Sequence, residues 1–150
     1  MNAAAGTSPM IVVGVDGSDP SKRALQWAAH QAKLTGTKLK VVTTWEYPPT
    51  LGWAPPYPSD FDPNEDARKA VQDTIDTVLG PEAAVVGEVD VTEGHPAFVL
   101  TEAARGAELL VVGSRGHGAF AGMLLGSVSE YCAAHASCPV VVVRRSEDKA

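Results

Sequence analysis

Short β-branched apolar runs alternate along this chain with longer stretches whose apolar residues recur at helical spacing. Residues 10–15 (MIVVGV) are nearly all apolar, the pattern of a strand buried on both faces of a sheet. Ser18, Asp19 and Pro20 then join an oxygen-bearing cap to a proline suited to a first helical turn. Ala24, Leu25, Ala28, Ala29 and Ala32 follow on one helical face, and Gly36 predicts the stop. Residues 38–45 (KLKVVTTW) predict a second strand. A second helix resumes near Glu65, with Ala67, Val71, Ile75, Val78 and Leu79 on one face, and ends at Gly80-Pro81. The same reading places strand three at 85–91, a helix at 96–105, strand four at 107–112, the last helix at 127–136 and strand five at 139–143.

Strands alternating with amphipathic helices predict an α/β fold, an open five-stranded parallel sheet with helices on both faces and right-handed crossovers. Residues 1–150 form one domain in this reading, with 1–9 as a tail. Residues 46–64 stand out as a long irregular stretch with six prolines and the aromatics Tyr47, Trp53, Tyr57 and Phe61. That is too long for a plain connection, so it reads as a functional flap or an insertion. Ligands of such sheets bind beyond the carboxyl ends of the strands, where strand order reverses. The loops that matter are therefore 16–18, 44–64, 93–96 and 113–126.

Composition narrows the partners. A net charge of −6 argues against a general affinity for nucleic acid, which needs many Lys and Arg contacts to phosphates. No apolar run reaches the length of a membrane span, and the first ten residues lack the basic and apolar regions of a signal peptide, which makes the cytoplasm the expected compartment. Two cysteines, Cys132 and Cys138, supply no disulfide framework.

The strongest chemical signal follows strand four, where Gly113-Ser114-Arg115-Gly116-His117-Gly118 leads through 119–125 to Gly126-Ser127-Val128-Ser129. Glycines admit positive φ and close approach of a ligand to the backbone. Gly126 and Ser127 stand where the last helix begins, so free N–H groups and the helix dipole would point into the loop, a geometry suited to phosphate. The Ser127 and Ser129 hydroxyls would add donors or cap the helix. The blander reading is a tight turn packing helix on strand.

Gly113-x2-Gly116-x9-Gly126-Ser127 resembles the loop of ATP-binding universal stress proteins. Residues 11–18 (IVVGVDGS), 109–112 (LLVV), 124–130 (LLGSVSE) and 138–143 (CPVVVV) are similar to that family's first strand and turn, fourth strand, final helix start and last strand. The resemblance implies strand order 3-2-1-4-5 and a bound ATP. It implies that Gly113, Gly116, Gly126, Ser127 and Val128 hold the phosphates and ribose. It further implies that Gly14, Val15, Thr44 and Val112 line the adenine slot, while Asp16 faces the nucleotide and is the position for a water-bridged magnesium ion. Arg115 and His117 lie inside the loop at positions that vary in the family. His95 stands where a small capping residue is expected, and the Pro-rich segment departs from the plainest family pattern.

Other chemistries fit less well. The loop lacks the Lys-Ser/Thr of a Walker motif, and no G-x-G-x-x-G follows strand one. Gly126-Ser127-Val128-Ser129 is no nucleophile elbow, which leaves an Asp16–His117–Ser127 triad without support. Cys132-x2-His135-x2-Cys138 offers three zinc ligands where four are needed, so Cys132 reads as a core residue and His135 as a cation near a helix end. Trp27, Trp45 and Trp53 read as packing groups. A nucleotide-binding regulatory module of the stress response therefore leads. The alternatives are a slow ATPase or self-phosphorylating enzyme, and a binder of cyclic AMP or another adenine nucleotide. The strand order that the resemblance implies sets strand 139–143, with its four consecutive valines, at a sheet edge, which predicts a homodimer joined through it.

Overall fold

The computed structural model describes residues 8–47, 60, 62–115 and 125–144. The elements run β1 (Ile11–Gly14), α1 (Asp19–Thr35), β2 (Leu39–Trp45), α2 (Pro63–Leu79), β3 (Val86–Glu93), α3 (Pro96–Ala103), β4 (Leu109–Gly113), α4 (Ser127–His135) and β5 (Val140–Val143). The sheet has the order β3-β2-β1-β4-β5, and every neighbouring pair is parallel. This is the expected order, and it leaves β3 and β5 as edges.

Alternation along the strands sorts their apolar residues between two cores. Ile11, Val13, Leu39, Val41 and Val111 pack with Leu25, Ala28, Val71 and Ile75 of α1 and α2. Val12, Val42, Leu110 and Val112 pack with Leu100, Ala104 and Cys132 of α3 and α4 on the other side. The strands therefore read as continuous apolar runs because both faces are covered.

The helix ends show which local signals act. Ser18 caps α1, and Gly36 closes it at φ 70°, a left-handed conformation that suits glycine. Helix α2 starts at Pro63, earlier than the expected Glu65, because the Asp62 carboxylate accepts the Glu65 N–H at 3.1 Å. The irregular stretch that the sequence placed at 46–64 thus ends before Pro63. A 3₁₀ turn (Gly80–Val85) follows α2, and β3 runs on to Glu93, beyond the predicted 91. Strand β5 begins at Val140, one residue later than expected, although the Pro139 carbonyl still accepts from Leu110 N.

His95 fills the role of the expected small capping residue. Its imidazole Nδ1 accepts the Ala97 N–H at 3.1 Å, and the ring lies 5.0 Å from that of Phe98. His95→Ala is expected to lower stability by about 1 kcal/mol, whereas His95→Ser keeps an acceptor and holds it. Urea denaturation checks this: equal midpoints for the two variants would mean that the ring does not act as a cap.

Candidate functional site

The carboxyl ends of β2, β1 and β4 lie side by side. Gly14 is paired with Val42, and Val13 with Val41 and Val111, so Thr44, Asp16 and Gly113 emerge from neighbouring interior strands at the same end of the sheet. Beyond Gly14 the chain stays attached to β2, as Val15 N donates to the Val42 carbonyl at 2.9 Å. The buried Thr43 hydroxyl donates to the Val15 carbonyl at 2.7 Å. Thr43 escaped the sequence reading because a threonine in an apolar strand carries no sign of which backbone atom it will meet.

The turn after β1 is built by side chains. The Asp16 carboxylate accepts from Ser18 N at 2.9 Å and from the Ser18 hydroxyl at 2.5 Å, while Asp16 N donates to Ser21 Oγ at 3.2 Å. An aspartate bonding the amide two residues on is an Asx turn, a signal present in Asp16-Gly17-Ser18. Asp16 itself is exposed at the strand end.

Gly113 owes its small size to the fold. It is not among the residues of positive φ; a Cβ there would stand 2.7 Å from the Pro20 carbonyl carbon and 2.9 Å from its oxygen. The missing side chain lets the first turn of α1 lie directly against the end of β4. A positive φ, one of the two reasons the sequence offered for glycine, does not apply at this position. Gly126 likewise has an extended conformation, φ −83° and ψ 170°.

The loop that leaves β4 returns to the same place. Ser114 N donates to the Val143 carbonyl at 2.8 Å, and the Ser114 carbonyl accepts Gly126 N at 2.7 Å. This bond sets the first turn of α4 beside the end of β4. The N–H groups of Ser127, Val128 and Ser129 begin the helix, where no carbonyl one turn earlier lies within it. Ser127 is exposed and Val128 half-buried, so the positive end of α4 opens outward at Ser127. Ser129, in contrast, is 2% exposed, with its hydroxyl 2.8 Å from the Ser114 carbonyl.

The structure thus groups Gly14, Val15, Asp16, Thr44, Val112, Gly113, Gly126, Ser127 and Val128 around one end of the sheet. Val15 and Val112 are buried, in the α1/α2 and α3/α4 cores respectively. Arg115 is half-buried just beyond Ser114. Gly116, His117 and Trp53 lie outside the described residues. Trp45 packs at the end of β2 with its ring 5.2 Å from Tyr47, whereas Trp27 is 37% exposed on α1 and is no core residue.

No group of three or more metal-ligating side chains occurs among the described residues. Cys132 is fully buried, and burial pushes its thiol up to about 11, which disfavours the thiolate a metal needs. A cleft of about 260 Å³ at the β3 edge, lined by Gln72, Ile75, Val86 and Glu88 among others, belongs to the opposite margin of the sheet from β5. Among the described residues no helix is long and apolar enough to cross a membrane.

Comparison with known proteins bears on the family and the fold. Residues 9–144 match the model of the universal stress protein family. The chain is 33% identical over 144 residues to universal stress protein Rv2624c of Mycobacterium tuberculosis, covering 95% of this chain and 51% of that protein. It spans about half the length of several curated relatives it matches. The solved structure of UspA from Lactobacillus plantarum shares the fold at TM-score 0.71 and 19% identity, covering 91% of this chain and 97% of that one. A universal stress protein solved in complex with cAMP superposes at TM-score 0.61 and 27% identity, over 91% and 96% of the two chains. The match over residues 9–144 and relatives of this identity show that the chain belongs to the universal stress protein family.

Proposed function

We propose that this protein binds an adenine nucleotide, in the first instance ATP, with its phosphates over the first turn of α4 and its adenine near the ends of β1 and β2. One observation carries the reading: the Ser114–Gly126 bond holds the open N-terminus of α4 beside the strand ends. A helix N-terminus offers backbone donors and favourable potential to an anion. Gly14, Val15, Thr44 and Val112 border the adenine end, and Gly113, Arg115, Gly116, His117, Gly126, Ser127 and Val128 the phosphate end. The family relative solved with cAMP supports the adenine class.

Asp16 fits only an outer-sphere role toward magnesium. It is a single exposed carboxylate already accepting from Ser18, and magnesium keeps several waters and takes phosphate oxygens readily. In this reading the protein is a cytoplasmic regulatory module of the stress response, paired with a second copy through β5, whose nucleotide occupancy is the signal.

Ser127→Asp tests the site. A carboxylate in the first turn favours the helix, so the fold is kept, but it repels an arriving phosphate. Calorimetry is expected to show ATP affinity reduced at least tenfold, about 1.4 kcal/mol, with adenosine affected less. Unchanged ATP affinity would move the phosphates away from α4. Absence of binding of ATP, AMP and cyclic AMP by the wild type would remove the reading altogether.

A further inference from the structure

We propose that Ser129 is a positioning residue that closes the neck of the β4–α4 loop and so sets the α4 amides for phosphate, without touching the ligand. The proposal rests on the nucleotide reading above and assigns Ser129 a task different from the direct contact expected of it. Its side chain is 2% exposed, and its Oγ lies 2.8 Å from the Ser114 carbonyl and 3.1 Å from the Gly126 carbonyl. A hydroxyl has one proton to donate, and the shorter distance assigns it to Ser114. The same oxygen accepts from Gly126 N at 3.1 Å, a proton that the Ser114 carbonyl shares at 2.7 Å. No proton is left for a phosphate, and no surface is left for one to reach.

Three segments meet in this knot. The Ser114 carbonyl takes both the Ser129 hydroxyl and the Gly126 amide, while the Ser114 amide is fixed to the Val143 carbonyl at the end of β5. The two ends of the intervening loop, Ser114 and Gly126, are therefore held by one buried side chain on the helix that the loop feeds. A serine three residues after the N-cap supplies a hydroxyl at the one depth from which it reaches both. Removing it leaves the Ser114 carbonyl with the Gly126 amide alone and the Gly126 amide without its second acceptor. The first turn of α4 is then tied to β4 by that single bond and loses its second, buried brace, and an anion bound by several converging amides feels the loosening more than an uncharged group does.

The test compares the wild type with Ser129→Ala and with Ser129→Cys, which keeps the volume but is a weak donor. Amide hydrogen exchange on the ligand-free protein is expected to show protection of Gly126 falling about tenfold in both variants, with Val13 and Val111 in mid-sheet unchanged. Calorimetry is expected to show ATP about tenfold weaker and adenosine within about twofold of the wild type. Wild-type protection of Gly126 in Ser129→Cys would show that packing, not the hydroxyl, closes the neck, and would overturn the proposal. So would equal losses for ATP and adenosine, or a loss of protection shared by the mid-sheet amides. A wild type that binds no adenine nucleotide sinks the reading on which the ligand half rests, while the exchange measurement still decides whether Ser129 closes the neck.

Discussion

Gly113→Ala is expected to destabilise the protein by about 2–3 kcal/mol, far more than an exposed glycine-to-alanine change. The added Cβ would meet three atoms of Pro20 at 2.7, 2.8 and 2.9 Å, two of them backbone. Backbone at the start of a helix cannot swing aside, so relief requires α1 to lift from the end of β4. Gly14 provides the control. A Cβ there would meet the Leu100 methyl carbons at 2.7 and 3.0 Å, and these are the far end of a flexible side chain that can change rotamer. Gly14→Ala is therefore expected to cost under about 1 kcal/mol. Urea denaturation of the two variants decides between them; equal losses would mean that the contact with Pro20 is not what requires glycine at 113. The variant also bears on the site, because lifting α1 carries the Asp16–Ser18 turn with it.

Val141→Lys and Val142→Lys are expected to weaken self-association at least a hundredfold, about 2.7 kcal/mol, while leaving a folded monomer. The two edges of the sheet differ in the ways that decide whether an edge stays single. Edge strand β3 carries Glu88, Asp90 and Glu93, of which Glu88 and Asp90 lie 3.6 and 3.9 Å from Lys40, and its pairing with β2 is irregular beside Gly87. Charges and bulges blunt an edge. Strand β5 has neither: its four residues are valines, all half-buried. Val141 and Val143 turn toward the α1/α2 core, and Val140 and Val142 toward the α3/α4 core. Antiparallel pairing of β5 with its copy would give a closed two-fold contact and satisfy both rows of backbone groups. A lysine at 141 or 142 places an ammonium at one or the other face of that seam, where it loses water without gaining a partner. Light scattering at micromolar concentration measures the outcome. A monomeric wild type, or both variants remaining dimeric, would eliminate this interface.

The motif residues show how one sequence pattern can hold two kinds of requirement. Gly113, Gly126, Ser127 and Ser129 are read together from the sequence, and the fold gathers them. Yet Gly113 answers to Pro20 and Ser129 to Ser114, while Ser127 alone among these four stands open to solvent. The zinc-like spacing of Cys132, His135 and Cys138 separates in a similar way. Cys132 is buried in the α3/α4 core, whereas His135 is exposed and stacks on Tyr131, with ring centroids 4.2 Å apart.

From the sequence alone came the α/β class, the number and succession of the elements, the loop that enters α4 and, through the family resemblance, the strand order. These are local or periodic properties: an apolar run buried on both faces, a helical spacing of alanines, Ser18 or Gly36 at a helix end. The tertiary structure decided matters that depend on atoms distant in sequence. It brought Pro20 against Gly113, set the Thr43 hydroxyl on the Val15 carbonyl and directed Ser129 inward to Ser114. It also moved the start of α2 to Pro63 and stopped β5 short of Pro139, since strand and helix ends follow the hydrogen bonds available to each backbone group. Periodicity records which face of an element is buried, and only the folded chain determines what that face meets.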